Sequence, residues 1–319
     1  MKFPRRSLLT SSLASLATSA LNIQKLSGQS VPTAKFVNVD GIRTRYFEHG
    51  TGKNLVLIHG GRFGFPSYSA DVWDLNIAGL SKYFHVYAFD KLGQGYTDNP
   101  PNDASYTKRA YVHHAQGFIR AMGIKRVSLV GHSMGAMVAA RIAVENPELV
   151  ENLIILDSNT LAPQDPSTPR GFYDKVLEGA PDLPTKEYVR REPDANSYSN
   201  AHVTDDYVTA ILKIALLPKT IEATQQAVRL NPLFFEDLAS LKAETMEWIK
   251  DGRLKAPTLI LWGFNDVSAP VILGMHLLRV IAPVVPRTDF HVINEAAHYL
   301  FREKYEEVNH IITDFIQTT

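Results

Sequence analysis

One serine of this chain lies in a pattern that is typical of a nucleophile. It follows the apolar run Val127–Val130, precedes a helical pattern, and belongs to the pentapeptide Gly131-His132-Ser133-Met134-Gly135. In such a segment the chain turns sharply from a strand into a helix and presents the serine hydroxyl at the tip. The flanking glycines allow the close packing that this turn needs. The pattern predicts acyl-transfer chemistry at Ser133, the alternative being a chance match in an ordinary tight turn.

A serine nucleophile needs a base, and the base needs an acid that orients it. For a nucleophile on this kind of turn, the expected chain order is serine, then aspartate or glutamate, then histidine. Asp266 follows the apolar run Thr258–Leu261, and His298 follows a run that ends at Ile293. Both are expected at carboxyl ends of strands, so we predict a Ser133–Asp266–His298 triad. The alternatives are a helix-capping aspartate and a loop histidine with a packing role.

The oxyanion that forms during acyl transfer is usually held by two backbone N–H groups. One predicted donor is Met134, directly after the nucleophile. The other is Gly61, in the loop that follows the apolar run Leu55–Ile58. His59, at the start of that loop, is interpreted as a structural histidine, and no spacing of histidines indicates a metal site.

The elements that must position these residues alternate between strand and helix. A hairpin is expected around the turn Asp40-Gly41. Six apolar runs then suit strands that are buried on both faces of a parallel sheet, namely Leu55–Ile58, Val86–Phe89, Val127–Val130, Leu153–Leu156, Thr258–Leu261 and Phe290–Ile293. Helical patterns lie between them, at Val72–Tyr83, Lys108–Met122, Met134–Asn146, Val271–Val280 and Tyr305–Ile316. This alternation predicts an α/β fold with a mostly parallel, doubly wound sheet.

One stretch interrupts the alternation and divides the chain. Between Asn159 and Lys255 there is no clear buried strand, and the pattern is first loop-like, then helical at Thr204–Val228 and Phe235–Lys250. We interpret residues 159–255 as an inserted helical cap over the carboxyl edge of the sheet, where ligands of such sheets bind. Residues 31–158 and 256–319 are then the two parts of the α/β core.

Residues 1–30 resemble a targeting segment and linker. Lys2, Arg5 and Arg6 form a basic start, and Ser7–Leu21 is a short run of small and apolar residues. An arginine pair before a mildly apolar run is typical of a twin-arginine signal. The segment predicts export to the periplasm or the medium, with removal of the signal. A frayed terminus of a cytoplasmic protein or a mitochondrial-type presequence is the alternative.

Composition excludes several classes of function. The 319 residues include 33 Lys plus Arg and 33 Asp plus Glu, which gives no electrostatic attraction to nucleic acid or to an anionic membrane. The chain has no cysteine, so disulfides, thiolate metal sites and cysteine nucleophiles are excluded. Neither a stable membrane insertion nor a cofactor is expected, and the partner is a small-molecule substrate. Formation of a homo-oligomer is left open.

The motifs resemble those of the α/β-hydrolase superfamily over residues 36–319. They are closest to the meta-cleavage-product hydrolases and related serine esterases, through LIHGG at 57–61, FDKLGQGYTD at 89–98, VGHSMG at 130–135 and LWGFND at 261–266. Meta-cleavage-product hydrolases cleave a carbon–carbon bond in vinylogous diketones. The resemblance implies the α/β-hydrolase fold, the same triad, no cofactor and a helical cap over the substrate.

Several positions differ from the usual pattern of that narrower family. His132 replaces an asparagine, and Tyr299 replaces a tryptophan. Ile211 falls near the position of a cap arginine that grips the substrate carboxylate. Arg62 stands where a small residue is usual, and we consider it an alternative carboxylate ligand, against a solvent-facing or ion-paired role. Arg62, Phe63, His132 and Tyr299 are the predicted substrate-binding residues.

These observations favour a serine hydrolase that acts on a small ester or lactone through an acyl-enzyme. The missing cap arginine places carbon–carbon bond hydrolysis second. A non-catalytic, ligand-binding relative of the hydrolases is the third interpretation, since a fold does not by itself fix an activity.

Overall fold

Eight strands form one sheet in the computed structural model, which describes residues 32–166, 168 and 171–319 of the chain. In chain order they are β1 (Lys35–Val39), β2 (Ile42–His49), β3 (Lys53–Ile58), β4 (Phe84–Phe89), β5 (Val127–His132), β6 (Val150–Leu156), β7 (Thr258–Gly263) and β8 (Thr288–Ile293). Their order across the sheet is β1-β2-β4-β3-β5-β6-β7-β8. Only the pairs β1–β2 and β2–β4 are antiparallel within this sheet. The predicted mostly parallel α/β sheet is therefore confirmed.

Eleven α-helices accompany the strands in the described part of the chain. They are α1 (Asp74–Leu80), α2 (Lys108–Ala121), α3 (Met134–Glu145), α4 (Phe172–Val176), α5 (Lys186–Ala195), α6 (Asp205–Ala215), α7 (Pro218–Arg229), α8 (Asn231–Lys250), α9 (Ile272–Ile281), α10 (Leu300–Glu303) and α11 (Tyr305–Gln317). None of these helices is long and apolar enough to span a bilayer. The predicted signal segment, residues 1–30, lies outside the described residues and stays a prediction.

The hairpin that opens the sheet has the turn its sequence predicts. Asp40 and Gly41 have φ values of 51° and 93°. Positive φ at both central residues is the signature of a type I′ turn, which matches the twist of the flanking strands. The register runs from Val39 opposite Ile42 to Lys35 opposite Tyr46.

Successive side chains of the central strands enter different cores, because a strand alternates its faces. In β3, Val56 and Ile58 join the cluster that contains residues of α2, α3 and α9. Leu55 and Leu57 join the opposite cluster, with residues of α1 and α11. A strand whose two faces are both buried needs apolar side chains at successive positions, which explains the continuous apolar runs.

The last strand departs from this pattern. The run Phe290–Ile293 suggests a strand buried on both faces, but β8 lies at the sheet edge and Val292 is 43% exposed. An edge strand has a neighbour on one side only, so its side chains are less covered. One helix also differs: the predicted Val72–Tyr83 helix is a 3₁₀ turn at Ala70–Trp73 followed by α1.

More of the segment between β6 and β7 is helical than its sequence suggests. Its first part was expected to be a loop but contains α4 and α5. The expected helix at Thr204–Val228 is two helices, because Pro218 has no N–H to continue α6 and starts α7 instead. α8 begins at Asn231, four residues before the expected Phe235.

Two different packings attach this segment to the sheet domain. Leu241, Met246 and Ile249 of α8 belong to the large core cluster of the sheet domain. By contrast, residues of α5 and α6 form a small cluster of their own, which includes Val189, Tyr207 and Ile211. The α5–α6 half of the segment is therefore held to the sheet domain mainly by other contacts, which are described below.

Candidate active site

Ser133 occupies a strained turn between β5 and α3. Its backbone angles are φ 52° and ψ −118°, a region that non-glycine residues avoid. The turn is bonded on both sides: its N–H donates to the Leu156 carbonyl at 2.9 Å, and its carbonyl accepts from Ser158 Oγ at 2.7 Å. At Gly135 a side chain would overlap the carbonyl oxygen of Ile58. The predicted elbow is thus packed too closely for any residue but glycine at that position.

Asp266, in the loop after β7, and His298, in the loop after β8, meet at the carboxyl edge of the sheet. His298 Nδ1 donates to Asp266 Oδ2 at 2.6 Å, and both side chains are buried. The other oxygen of Asp266 accepts from the backbone N–H groups of Ser268 at 2.8 Å and Ala269 at 2.7 Å. The carboxylate is therefore fixed at one end by the loop and at the other by the imidazole.

The second ring nitrogen of His298 is the one that remains for chemistry. Because Nδ1 carries the proton bonded to Asp266, Nε2 has a free lone pair in the neutral ring. Nε2 is buried and has no hydrogen-bond partner within the described residues, so it is not bonded to Ser133 Oγ in this state. Such catalytic contacts often tighten only when substrate is bound.

The charges around His298 favour its protonated form. Burial opposes the charge, but the Asp266 carboxylate and its hydrogen bond raise the pKa of His298 above its ordinary value, with further contributions from Glu192 and Glu303. A raised pKa makes the imidazole a stronger proton acceptor. The arrangement can therefore take a proton from a hydroxyl group and hold the resulting imidazolium.

The two predicted oxyanion donors lie together on the wall of a cavity of about 290 Å³. Gly61 and Met134 both line it beside Ser133, and neither N–H donates to an acceptor among the described residues. Met134 is also the first residue of α3, whose positive end faces the same point. Two free N–H groups and a helix terminus can stabilise a negative oxygen there.

Residues from both parts of the chain enclose this cavity. The sheet domain supplies the loop after β3, the nucleophile turn and Ser268, while the inserted helical segment supplies aromatic side chains, namely Phe172, Tyr173, Phe234 and Phe235. The lining is mainly apolar, with a few polar groups, which is typical of a site for a small organic molecule.

The predicted substrate-binding residues divide into one that lines the cavity and three that lie behind its wall. Arg62 lines it. His132 is buried and donates from Nε2 to the His298 carbonyl at 2.8 Å. Phe63 packs against Tyr111, with ring centroids 4.3 Å apart. Tyr299 is fully buried, and its hydroxyl bonds to a helix of the inserted segment instead of facing the cavity.

Sequence reasoning missed a cluster that joins α5 to the sheet domain. Glu192 of α5 is 1% exposed and accepts from Tyr68 Oη at 3.0 Å and Tyr299 Oη at 2.7 Å. Asn196, one turn later, accepts the backbone N–H of His298 at 3.1 Å. No pattern in the sequence marks Glu192, because it lies in a run of charged residues typical of a solvated helix.

A second aspartate lies near the dyad of Asp266 and His298. Asp157 follows β6, is fully buried, and accepts the N–H of Gly263 at 2.9 Å. Burial, together with the negative charge of Asp266, raises the pKa of Asp157 well above its ordinary value. This environment favours the neutral acid at Asp157, whereas the hydrogen bond to the imidazole is made by Asp266.

Comparison with known proteins identifies the class to which this fold and site belong. The sequence profile of the family described as alpha/beta hydrolase fold matches residues 54–305, and the chain belongs to this family.

Particular relatives narrow the comparison. The 2-hydroxy-6-oxononadienedioate/2-hydroxy-6-oxononatrienedioate hydrolase of Paraburkholderia xenovorans (strain LB400) is 28% identical over 295 residues, which are 89% of this chain and 95% of that one. The 2-hydroxy-6-oxo-6-(2'-aminophenyl)hexa-2,4-dienoic acid hydrolase of Metapseudomonas resinovorans is 30% identical over 267 residues, 79% of this chain and 81% of that one. The solved meta-cleavage product hydrolase of Pseudomonas fluorescens IP01 superposes with a TM-score of 0.73 at 25% identity, over 89% of this chain and 97% of that one. The predicted resemblance is confirmed, and the chain is similar to hydrolases along nearly all of its described length.

Proposed function

We propose that the chain is a serine hydrolase in which Ser133 is the nucleophile, His298 the base and Asp266 the orienting acid. The N–H groups of Gly61 and Met134 hold the oxyanion. The observation that carries this proposal is the convergence, beside one cavity, of a strained serine turn, two free N–H groups and a His–Asp pair at 2.6 Å. Each group has a separate role in acyl transfer, and none of these roles requires a cofactor.

We propose further that the substrate is a 2-hydroxy-6-oxo dienoic acid and that the bond cleaved is carbon–carbon. Several similar relatives bear the names of hydrolases of such compounds, and they match 79–89% of this chain. This order reverses the sequence-based expectation, in which an ester or lactone came first. That expectation depended on the absence of a cap arginine. It is weakened because the chain has another cation that could bind the substrate carboxylate.

Arg62 is that cation. It is half-buried on the cavity wall, between the rings of Phe65 and Phe235, each 5.8 Å from its guanidinium carbon. Across the described residues, no carboxylate lies within ion-pair distance of it, and the other cavity-lining residues carry no positive charge. Ile211, by contrast, is packed inside the α5–α6 cluster. An unpaired guanidinium beside an apolar cavity suits a carboxylate, which it can bind through two parallel hydrogen bonds.

The proposed reaction proceeds in two stages on the 2,6-dioxo tautomer of the substrate. His298 takes the Ser133 proton as Oγ attacks the 6-oxo carbon, and the Gly61 and Met134 N–H groups bind the oxyanion. The bond between carbons 5 and 6 then breaks, and its electron pair is delocalised along the conjugated chain to the 2-oxygen. A proton from His298 neutralises this leaving group. Water, deprotonated by His298, next releases the acid from Ser133, while Asp266 stabilises each imidazolium.

Ester hydrolysis is the second candidate, and one observation favours it. Near the cap position where the family has a carboxylate-binding arginine, this chain has the buried Ile211. A substrate carboxylate would therefore have to be bound by Arg62, which lies on another element. The same triad and oxyanion groups would serve an ester, because the two reactions differ only in the leaving group. In that case Arg62 would face the cavity without a required partner.

A substrate panel with a matched inactive variant tests these proposals. Wild type and Ser133→Ala are assayed with a 2-hydroxy-6-oxo dienoic acid, a p-nitrophenyl ester and a lactone. We expect the dienoic acid to have the highest kcat/KM, and Ser133→Ala to reduce kcat by roughly 10⁶-fold. A higher kcat/KM for the ester or lactone would favour the second candidate. Near-normal turnover by Ser133→Ala would overturn the serine mechanism, and tight binding without any hydrolysis would support a ligand-binding relative.

We propose, finally, that residues 1–30 direct export, which is supported by the arginine pair before a mildly apolar run. The full chain and its Arg5→Lys, Arg6→Lys variant are expressed in a bacterium with a twin-arginine pathway and fractionated. Mature protein in the periplasm for the full chain, and precursor in the cytoplasm for the variant, is expected. Equal distribution of the two would remove the proposal.

A further inference from the structure

Lys91 is a buried lysine whose amino group lies against the loop that carries Gly61. Its side chain is 0% exposed. Nζ donates to the carbonyl oxygens of His59 at 2.7 Å, Gly60 at 2.6 Å and Gly61 at 3.2 Å. These three acceptors match the three N–H donors of an ammonium group. One side chain therefore holds three consecutive peptide groups of the loop.

This contact has a direct consequence for the Gly61 N–H group. In a trans peptide, the carbonyl oxygen of one residue and the N–H of the next point in opposite directions. Because the Gly60 carbonyl points at Lys91 Nζ, the Gly61 N–H points to the other side of the loop. Gly61 lines the cavity together with Ser133 and Met134, whereas Lys91 does not line it, so we place the cavity on the side of the loop away from Nζ.

The backbone of the loop does not by itself impose this orientation. Gly60 and Gly61 are adjacent glycines, and Gly61 has φ 73°, in the region that glycine enters freely. A reversed Gly60–Gly61 peptide would direct a carbonyl oxygen to the cavity, where it would repel the oxyanion. The orientation that binds an anion is therefore held by two side chains: His59 Nδ1 donates to the Gly60 carbonyl oxygen at 2.9 Å, and Lys91 Nζ donates to it at 2.6 Å. The proton is on Nδ1 because His59 Nε2 accepts the backbone N–H of Lys91.

The strand end that carries Lys91 also holds the far end of the same loop. Asp90 Oδ1 accepts the N–H of Ala70 at 2.7 Å, and the carboxylate is paired with Arg45 at 2.6 Å. The N–H of Lys91 donates to His59 Nε2 at 3.1 Å. Asp90 thus fixes the far end of the loop, while the backbone and side chain of Lys91 fix its first three residues.

We propose that Lys91 is a positioning residue for the reaction: it sets the Gly60–Gly61 peptide so that the Gly61 N–H is available to the oxyanion. Burial lowers the pKa of Lys91 well below its ordinary value, whereas the three carbonyl oxygens favour its protonated form. Lys91 does not touch the substrate. The inference rests on the proposed function, in which Gly61 is an oxyanion donor.

The first experiment replaces the ammonium group and leaves a side chain of similar length. For Lys91→Met, we expect kcat on a p-nitrophenyl ester to fall by about 10- to 100-fold, up to the loss caused by removing one oxyanion donor. KM should change by less than about twofold, because the ground state makes little use of the donor. Affinity for a trifluoromethyl ketone, whose serine adduct carries the oxyanion, should fall in proportion to kcat/KM.

Thr44→Val is the matched control. It removes a buried hydrogen bond between Thr44 Oγ1 and His114 Nε2, which are 2.8 Å apart, and neither residue lines the cavity. We expect it to lower the melting temperature while kcat and inhibitor affinity stay at the wild-type values. A general loss of packing would affect both variants alike, whereas a positioning role affects Lys91→Met alone.

A second experiment remains informative if Lys91→Met fails to fold. The chain has no cysteine, so Lys91→Cys introduces a single thiol. It is alkylated in denaturant with an aminoethyl or a propyl group and refolded, beside wild type carried through the same steps. Both adducts have nearly the length of lysine, but only the aminoethyl adduct has the ammonium group. We expect that adduct alone to recover a kcat close to that of wild type.

Equal kcat for the two adducts, with equal circular dichroism, would overturn the proposal. So would an unchanged inhibitor affinity in a Lys91→Met protein whose kcat has fallen. Failure of the proposed function has a different result, because Ser133→Ala would then retain activity on the same ester.

Discussion

The two walls of the cavity are built in different ways. The floor consists of strand ends and the loop after β3, and its polar groups are bonded to one another: Asp266 alone accepts four hydrogen bonds, from His298, Ala269 and two donors of Ser268. The roof consists of helices of the inserted segment and presents aromatic rings. A network of short, directed bonds fixes atoms to fractions of an ångström, whereas apolar packing specifies shape and volume. We infer that the floor determines turnover and the roof determines which molecules are accepted.

Glu192 is the exception to this division. It belongs to the roof, but its carboxylate is bonded to Tyr68 and Tyr299 of the floor, and it lies close enough to His298 to raise the pKa of that imidazole. The roof therefore contributes a charge to the floor's chemistry. The following experiments test the division, in order of decreasing effect.

Asp266→Asn should produce the largest loss. The asparagine cannot accept the His298 Nδ1 proton in the same way, so the imidazole loses its correct tautomer, and kcat should fall by about 10⁴-fold with KM little changed. Steady-state kinetics on any turned-over substrate measures this. Asp157→Asn is the matched control, because Asp157 is a buried carboxyl group whose pKa is raised and which makes one hydrogen bond, to the Gly263 N–H. A larger loss in the control than in Asp266→Asn would reverse the two aspartates' roles.

Arg62→Gln should weaken binding of carboxylates without slowing the chemistry of neutral substrates. A hydrogen bond to a charged group contributes about 1.5–3 kcal/mol, or roughly 10- to 150-fold. We expect KM for a dienoic acid to rise within that range and KM for a neutral ester to stay constant. The comparison of the two substrates in one variant is its own control. An unchanged KM for the acid would leave Arg62 without a role in binding.

Phe172→Ala should affect the fit of a bulky substrate by a smaller factor. Phe172 lines the cavity and packs edge-on against Tyr173, with centroids 5.1 Å apart. An aromatic pair contributes about 0.5–1.5 kcal/mol beyond area, so KM for an aryl-bearing substrate should rise about 2- to 10-fold while kcat holds. Tyr83→Ala, at an aromatic residue that is 53% exposed and does not line the cavity, should change neither constant. A fall in kcat without a change in KM would show that the roof takes part in the chemistry.

Glu192→Gln should have the smallest effect, a displacement of the pH profile. His298 must be neutral to accept the serine proton, so kcat/KM falls as pH drops through its pKa. Removing the nearby negative charge lowers that pKa, and the acid limb should move to lower pH. Glu187→Gln, on the same helix with an exposed side chain, should leave the limb in place. Movement of the acid limb to higher pH, or no movement, would show that Glu192 does not raise the pKa of His298.

Much of the floor could be predicted from the sequence, because its signals are local. Continuous apolar runs give parallel strands, and Ser133, Asp266 and His298 each follow such a run at a fixed place in the chain order. β8 was less predictable, since an apolar run does not reveal that a strand has only one neighbour. The roof gave weaker signals. Its helices carry mixed charges. The helical pattern continues across Pro218, so the proline alone indicates the break between α6 and α7.

The long-range contacts could not be predicted at all. Glu192 and Tyr68 are 124 residues apart, and Lys91 and His59 are 32 apart. In both cases the sequence shows a charged residue of a type that normally faces solvent. The Lys91 partners are backbone carbonyls, which every residue has, so no pairing of side-chain types marks the contact.

The backbone of Ser133 has a consequence for how this sequence can change over time. A side chain held at φ 52° costs about 1–3 kcal/mol of folding free energy, which glycine at the same position would largely avoid. Selection for a more stable chain and selection for an active one therefore oppose each other at this residue. Selection for activity is needed to preserve the serine. In a lineage that no longer needed the activity, selection for stability would favour a more stable, inactive protein.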